Sequence, residues 1–302
     1  MKKQPQRISF SQFRELVIDK GSDVDFFPYL GKGYAMTLKI KDMVSKIFEK
    51  DLPLRLDDMR IGYIKSGNAD MIINLIPHRM EKGMLMYLGG DSIIQLERHS
   101  DDFDIEGFTV TDDVMNVFLH GHVPSLMTSK MNDVRLKPTE EEVELFERLL
   151  RMMWTIVHFA GDDDNGLVGD IVSALIHYYD YLYKKYTSTE GQMKSREREI
   201  FDKFIRLVNH SNGENRQLVY FADKMYLSER YLSTVVKQAS GVTAKEWIDR
   251  ATVTEIKVLL KHTDKQISQI ADQLNFPNDS FFCKYFKRLT GMTPKEYRDG
   301  NG

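Results

Sequence analysis

Two sets of polar side chains recur at helical spacing toward the end of this 302-residue chain. The first is Arg230, Ser233, Thr234 and Lys237; the second is Ser280, Cys283, Lys284, Lys287 and Arg288. Arg and Lys bond guanine edges or phosphates, and Ser and Thr reach either bases or backbone. Residues three and four apart share a helix face, so each set would form one strip of donors. Opposite the first strip stand Leu232, Val235, Val236 and Ala239, and opposite the second Phe282, Phe286 and Leu289. Each stretch therefore reads as an amphipathic helix with a core side and an open, largely cationic side.

The elements that position these strips form an internal repeat. The segment from Leu218 to Trp247 is written again, with variations, from Ile267 to Tyr297. Ala222-Asp223 matches Ala271-Asp272 at an offset of 49, while Gly241, Thr243, Lys245, Glu246 and Trp247 match Gly291, Thr293, Lys295, Glu296 and Tyr297 at an offset of 50. The extra residue falls in the turn between the two helices of a copy, where an insertion costs least. Ala222 and Ala271 are small enough to let a second helix cross close over the first. Ser228, and Asp279 or Ser280, are the expected N-caps. Two helix-turn-helix copies on one chain point to a protein that reads two neighbouring stretches of duplex DNA. Helices are expected over 196–210, 218–225, 229–239, 243–261, 267–274, 280–290 and 294–299, the long fourth one joining the repeats.

Composition agrees with this division. A 42% hydrophobic and 29% charged content fits a globular chain with a sizeable core. The net charge of −3 hides an asymmetry: residues 195–302 carry 18 basic and 14 acidic side chains, the first 194 carry 24 and 31. A single cysteine, Cys283, excludes an intrachain disulfide and any Cys-rich metal site. No long apolar region follows Met-Lys-Lys-Gln-Pro-Gln-Arg, and no stretch approaches the roughly 20 apolar residues of a membrane helix, so a cytoplasmic protein without membrane partners is expected.

The segment 196–300 resembles the DNA-binding domain of AraC/XylS-type transcription regulators. The residues that carry the resemblance are Ile270-Ala271-Asp272-Gln273-Leu274-Asn275-Phe276, Phe282-Cys283-Lys284-Tyr285-Phe286-Lys287-Arg288 and Gly291-Met292-Thr293-Pro294-Lys295-Glu296-Tyr297-Arg298. The resemblance implies seven helices in two helix-turn-helix units, with recognition helices entering successive major-groove segments of promoter DNA. Matched by position, Arg230, Ser233, Thr234 and Lys237 fall on the reading face of the first unit. Asp279, Ser280, Cys283 and Lys284 fall on that of the second. The family often carries a large or amide side chain where Ser233 and Thr234 stand here, so base reading by the first unit departs from the pattern.

Residues 1–135 read as short strands separated by Gly, Asn and Asp turns, with strands over 60–65, 69–76, 84–88 and 92–96 and turns at 66–68, 81–83 and 89–91. That pattern gives an antiparallel sheet or a small barrel. Thr139 with Glu142 forms a capping-box signature, after which Leu145, Leu149, Met152 (with Met153) and Ile156 recur at helical spacing. A second helix carries Val168, Ile171, Leu175, Tyr178, Leu182 and Tyr186 on one face. The run Asp162-Asp163-Asp164-Asn165-Gly166 lacks the EF-hand pattern and reads as the loop between these helices.

The resemblance implies that the N-terminal part is a cupin-like barrel that binds a small effector or mediates dimerisation. Cupins can hold metals, but after His120-Gly121-His122 comes Val-Pro-Ser-Leu with no carboxylate, and His78 and His99 are isolated, so no metal site or cofactor is expected. No nucleophile elbow, phosphate loop or zinc-protease motif occurs, and no enzyme is expected. The expected architecture is α+β: a β-rich cupin-like effector domain (1–135), a dimerising helical hairpin (136–190) and an all-α DNA-binding domain (191–302). The expected protein is a sequence-specific, dimeric regulator of promoter DNA controlled by a small molecule, and as an activator it would also meet RNA polymerase. The alternatives are a constitutive DNA-binding regulator, and a metal-dependent cupin enzyme with an accessory DNA-binding domain.

Overall fold

The structure, a computed structural model, describes residues 7–8, 29–31, 33–38, 44, 48, 52–56, 58–90, 92–119, 124–128, 133–160, 165–189 and 196–299. The chain packs as two units, residues 7–191 and 192–302. The His120-Gly121-His122 pair, Asp162–Asp164 and residues 190–195 lie outside the described residues.

In the first unit eleven strands among the described residues form two sheets. One has the order β1 (Arg7–Ile8), β4 (Leu54–Leu56), β9 (Ile93–His99), β6 (Asn68–Ile73), β7 (Ile76–Glu81). The other has the order β11 (Asp133–Leu136), β8 (Leu85–Leu88), β5 (Met59–Ser66), β10 (Asp104–Val110), β3 (Tyr34–Thr37), β2 (Tyr29–Leu30). Neighbouring strands are antiparallel apart from the β1–β4 pair. The sheets face each other as a cupin-like barrel around Leu54, Leu56, Ile64, Met71, Ile73, Met80, Leu96 and Phe103.

Burial explains why the strands read differently in the sequence. β6 and β7 alternate, since one face meets solvent, whereas all four residues of β8 and most of β10 are buried. The six-stranded sheet is covered on its far face by helices, so it has no polar side to alternate with. The expected strand 69–76 is interrupted: Asn74 and Leu75 take positive φ (49° and 73°) and turn β6 into β7. Asn74 tolerates this conformation, and its amide oxygen accepts the Ile93 N–H at 3.0 Å.

Helices α1 (Asp112–Phe118) and α2 (Ser125–Thr128) precede the hairpin of α3 (Glu140–Ala160) and α4 (Asn165–Thr189). The hairpin shares one core with the six-stranded sheet, joining Tyr63, Leu85, Tyr87 and Val134 to Phe146, Leu150, Met153, Val157, Val168, Leu175 and Tyr179. On α4 the expected face is the buried one. On α3 the match is partial: the core stripe is Phe146, Leu150, Met153 and Val157, and of the expected Leu145, Leu149, Met152 with Met153, and Ile156, only Met153 is buried while Leu149 and Ile156 pack half-buried against the core. Leu145 and Met152 are exposed, because α3 carries two apolar stripes and periodicity alone does not say which one the sheet covers.

Glu142 ties the hairpin together. Its Oε1 accepts from Lys185, its Oε2 from the Tyr186 hydroxyl and the Thr139 N–H, and its backbone carbonyl accepts from the Tyr178 hydroxyl. Partial burial pushes this carboxyl up, but the Lys185, Tyr186 and Thr139 donors outweigh it and hold the group at about 2.

The second unit is helical throughout: α5 (Arg196–His210), α6 (Leu218–Lys224), α7 (Glu229–Ser240), α8 (Ala244–His262), α9 (Ile267–Gln273), α10 (Asp279–Thr290) and α11 (Pro294–Asp299). These are the seven helices expected from the sequence, within a residue or two at each end. Among the described residues, no helix of the chain is long and apolar enough to cross a membrane.

Candidate nucleic-acid interface

The duplication holds down to single hydrogen bonds. In each copy a short helix, α6 or α9, ends in a turn and a longer one, α7 or α10, crosses it. The crossing is close because Ala222 and Ala271 sit there fully buried, 1% and 0% exposed. Their carbonyls accept the N–H of Leu227 at 3.0 Å and of Phe276 at 2.9 Å, five residues on. That bond needs a left-handed residue before its donor. Tyr226 (φ 58°) and Asn275 (φ 54°) supply it.

The longer helices are then capped alike. The Ser228 hydroxyl accepts the Tyr231 N–H at 3.3 Å. In the second copy the cap is Asn278, whose Oδ1 accepts the Phe281 N–H at 2.8 Å, not the expected Asp279 or Ser280. Asn278 precedes the helix, and Asp279 is its first helical residue, where a carboxylate complements the positive helix end. Glu229 takes the same place in α7. Both helices stop at left-handed glycines, Gly241 and Gly291, whose N–H groups bond the carbonyls of Lys237 and Lys287 at 2.8 Å.

A capping box follows each stop: Glu246 accepts the Thr243 N–H at 2.9 Å, and Glu296 the Thr293 N–H at 2.7 Å. The Thr243 hydroxyl and N–H lower the Glu246 carboxyl, and the Thr293 N–H and hydroxyl lower that of Glu296. These boxes restart the chain in a fixed direction after each long helix.

The faces sort nearly as the sequence expects. On α7, Leu232, Val235 and Val236 are buried and Ala239 half-buried, while Arg230, Thr234 and Lys237 are exposed and Ser233 is half-buried. On α10, Phe282 and Phe286 are buried, and Asp279, Ser280, Lys284, Lys287 and Arg288 are exposed. Leu289, expected inward, is 39% exposed; Tyr285 takes its place in the core because its ring stacks edge-on to Phe276 at 5.3 Å. Cys283 is half-buried, and burial with the nearby Asp279 carboxylate raises its thiol, which keeps it protonated at neutral pH. The Thr234 hydroxyl donates to the Arg230 carbonyl at 2.9 Å, within its own helix.

Two aromatic side chains escape a search for polar strips. Tyr231 and Phe281 occupy matching positions in the first turn of α7 and α10 and are 39% and 52% exposed. Their offset of 50 in the repeat was the available signal. An aromatic or apolar group at such a place can touch a thymine methyl.

Among the described residues no three His, Cys, Asp or Glu side chains gather as a metal site. His99 is exposed, with Nδ1 2.9 Å from the Ser100 carbonyl.

Residues 221–300 match the profile of the family described as a helix-turn-helix domain. The chain is 25% identical over 247 residues to the HTH-type transcriptional activator RhaR of Escherichia coli and of Shigella flexneri, a match covering 78% of this chain and 82% of the relative. Among solved structures, ToxT of Vibrio cholerae is similar at 17% identity and a TM-score of 0.41, over 89% of this chain and 98% of that one. The C-terminal domain of AraT, a response regulator from Geobacillus stearothermophilus, is similar at 24% identity and a TM-score of 0.32, over 35% of this chain and 88% of that domain.

The turn geometry carries a prediction. Tyr226 is 93% exposed, so its ring contributes little packing to offset a left-handed backbone. Tyr226→Asn, which copies Asn275, should stabilise the helical unit by roughly 0.5–1 kcal/mol. Denaturant unfolding followed by helix signal checks this, and an unchanged or lowered midpoint would refute it.

Proposed function

We propose that this chain, an AraC/XylS-type DNA-binding transcription regulator, reads two successive major-groove segments of promoter DNA with α7 and α10. The observation that carries the reading is the side-chain-level duplication of the crossing, turn and caps, which ends in two exposed polar faces. Duplicated scaffolding without duplicated binding would need no such pair of open faces. Arg230, Ser233, Thr234 and Lys237 would serve the first segment, and Asp279, Ser280, Cys283, Lys284, Lys287 and Arg288 the second. Lys284 and Lys287 suit guanine edges or phosphates, and Asp279 suits a cytosine amino group.

Regulation is assigned to the first unit. Between its sheets lies a cavity of about 100 Å³, walled by Met36, Phe48, Met71, Met86, Ile94 and Phe108 among others. Gly62 and Gly107, opposite each other on β5 and β10, also border it. A Cβ on Gly107 would come within 2.4 Å of the Ile61 carbonyl oxygen, so only glycine allows the strands to run this close. Flexible Met side chains can adapt such a wall to a guest. Arg60, Thr37 and Thr109 are its polar members, which favours a small apolar effector with one anionic or hydrogen-bonding end. The effector would act by binding DNA-competent and DNA-incompetent states unequally.

An exposed apolar line on α3 supports a homodimer. Leu145, Met152 and Phe159 recur every seven residues on one helix face, flanked by Leu149 and Ile156, which are half-buried against the unit's own core. Phe159 is 93% exposed and Met152 53%. The ion pairs Glu144–Arg148 and Glu147–Arg151 lie along the same helix and supply a polar rim. The curated relatives are named as activators, which favours an activator that also meets RNA polymerase.

Four outcomes test these assignments. Selection of genomic fragments at near-physiological salt should enrich promoter sites with two half-motifs. Lys284→Ala should weaken binding to them about tenfold, and a phosphate role would also lower the salt slope by about one. Unchanged affinity and preference would misplace the second face. Met152→Glu should shift the full-length protein from dimer to monomer in sedimentation at micromolar concentration. A wild-type monomer would sink the stripe as an interface. Short aliphatic carboxylates should raise the melting temperature more than their amides, an advantage lost in Arg60→Met. Equal shifts would argue for an effector without an anionic end, and none at all for a constitutive regulator.

A further inference from the structure

The two helix-turn-helix copies are joined by more than α8. The loop 211–217, between α5 and α6 of the first copy, reaches the turn of the second. Gly213 (φ 72°) presses this loop onto α8: a Cβ there would stand 3.3 Å from the Thr252 Cα and 3.2 Å from the Glu255 Cβ. Three residues after Gly213, the Arg216 side chain extends across the repeat boundary. Its guanidinium lies 3.8 Å over the Phe276 ring. It also donates to the carbonyls of Leu274 and Asn275.

Those two carbonyls end α9, where the helix leaves acceptors without partners and a negative partial charge. Arg216 thus caps the first helix of the second copy from the loop that leads into the first copy. The repeat does not explain it. The position matching Arg216 at an offset of 49 is Lys265, whose ammonium donates to Gln273 inside its own copy. Further bonds brace the same place. The Tyr285 hydroxyl of α10 donates to Asp249 of α8 at 2.6 Å, Asp249 pairs with Lys245 at 2.6 Å, and Lys245 lies 3.5 Å from the Arg216 carbonyl. The clamp therefore holds the residues that set where α10 starts, Leu274 to Phe276, and α10 itself through Tyr285.

We propose that Arg216 is a positioning residue that fixes the distance and phase between α7 and α10, so that the protein accepts half-motifs at one spacing only. The inference rests on the DNA reading above and concerns geometry, since Arg216 itself faces the second turn and touches no groove. A planar fork suits two adjacent carbonyls and a ring face together, which a lysine ammonium cannot do. Without it the two helix-turn-helix units are joined by α8, the Tyr285–Asp249 bond and a long 3.4 Å donation from the Asn275 amide to the Glu214 carbonyl, and small changes in their relative angle become cheaper.

The experiment uses full-length protein and a set of duplexes carrying the selected half-motifs, with the gap shortened or lengthened by one and two base pairs. Wild type should prefer one gap sharply. Arg216→Met, which keeps the apolar stem, should flatten the preference by about fivefold or more, the equivalent of losing roughly 1 kcal/mol of angular restraint. Arg216→Lys should fall between. Mere destabilisation lowers the active fraction equally for every duplex and leaves the ratio alone, so the ratio is the readout. If Arg216→Met does not fold, Arg216→Lys carries the test. A variant with the wild-type gap preference overturns the clamp while leaving the DNA reading intact. A wild type that selects no bipartite site overturns that reading and the clamp with it.

Discussion

Everything in the C-terminal unit depends on two alanine carbonyls. At Ala222 and Ala271 the chain must do two things at once: let a second helix pass within contact distance, and accept a hydrogen bond from the residue that starts the next segment. A larger side chain would lift the crossing helix and break the turn. Because the acceptor, the left-handed residue and the N-cap lie within seven residues, the direction of α7 or α10 is fixed locally. The open face of each is therefore set by backbone geometry before any long-range packing is considered.

The N-terminal unit works under a different constraint, that of a sheet buried on both sides. β5, β8 and β10 must pack the barrel interior with one face and the helical hairpin with the other, and they can offer neither face to water. Glu106 is the most deeply buried charged exception on these strands. At 1% side-chain exposure it accepts from the Tyr63 hydroxyl at 2.7 Å and pairs with Lys65, with Arg151 of α3 at 3.9 Å. Burial and the Glu106 carboxylate keep the Tyr63 hydroxyl protonated. A buried carboxylate without these partners would be expensive. With them it links β10 and β5 to the same helix on which Leu145, Met152 and Phe159 are exposed. Cavity wall, sheet and α3 are thus consecutive layers of one packed body.

The C-terminal fold was legible because the chain states it twice. Gly241 and Gly291 or Thr243–Glu246 and Thr293–Glu296 would each be weak signals alone, but their repetition at one offset fixes helix starts and stops within a residue or two. The β-rich unit has no such redundancy. Tyr34 pairs with Val110 and Leu85 with Leu136, partners about 50 to 75 residues apart that no local pattern relates. Helix periodicity likewise found the apolar stripes of α3 without ranking them, since the sheet that decides lies elsewhere in the sequence. Arg216 was illegible for the same reason: its acceptors are 58 and 59 residues away and are backbone atoms, which carry no sequence signature.

The two open faces are not equivalent, and the difference is physical. α7 offers Ser233, half-buried, and Thr234, whose hydroxyl is already bonded to its own helix, so Arg230 and Lys237 are its far-reaching donors. α10 offers three exposed cations, Lys284, Lys287 and Arg288, beside the exposed ring of Phe281. On its core side Phe276 packs edge-on against Phe282 at 5.1 Å and Phe286 against Tyr297 at 5.6 Å. In the proposed reading a cation-rich helix suits strong contact and a helix of small hydroxyls a more sequence-tolerant one, so discrimination at the weaker half-motif would come from geometry more than from base contacts. That places weight on whatever holds the two helices at a fixed angle.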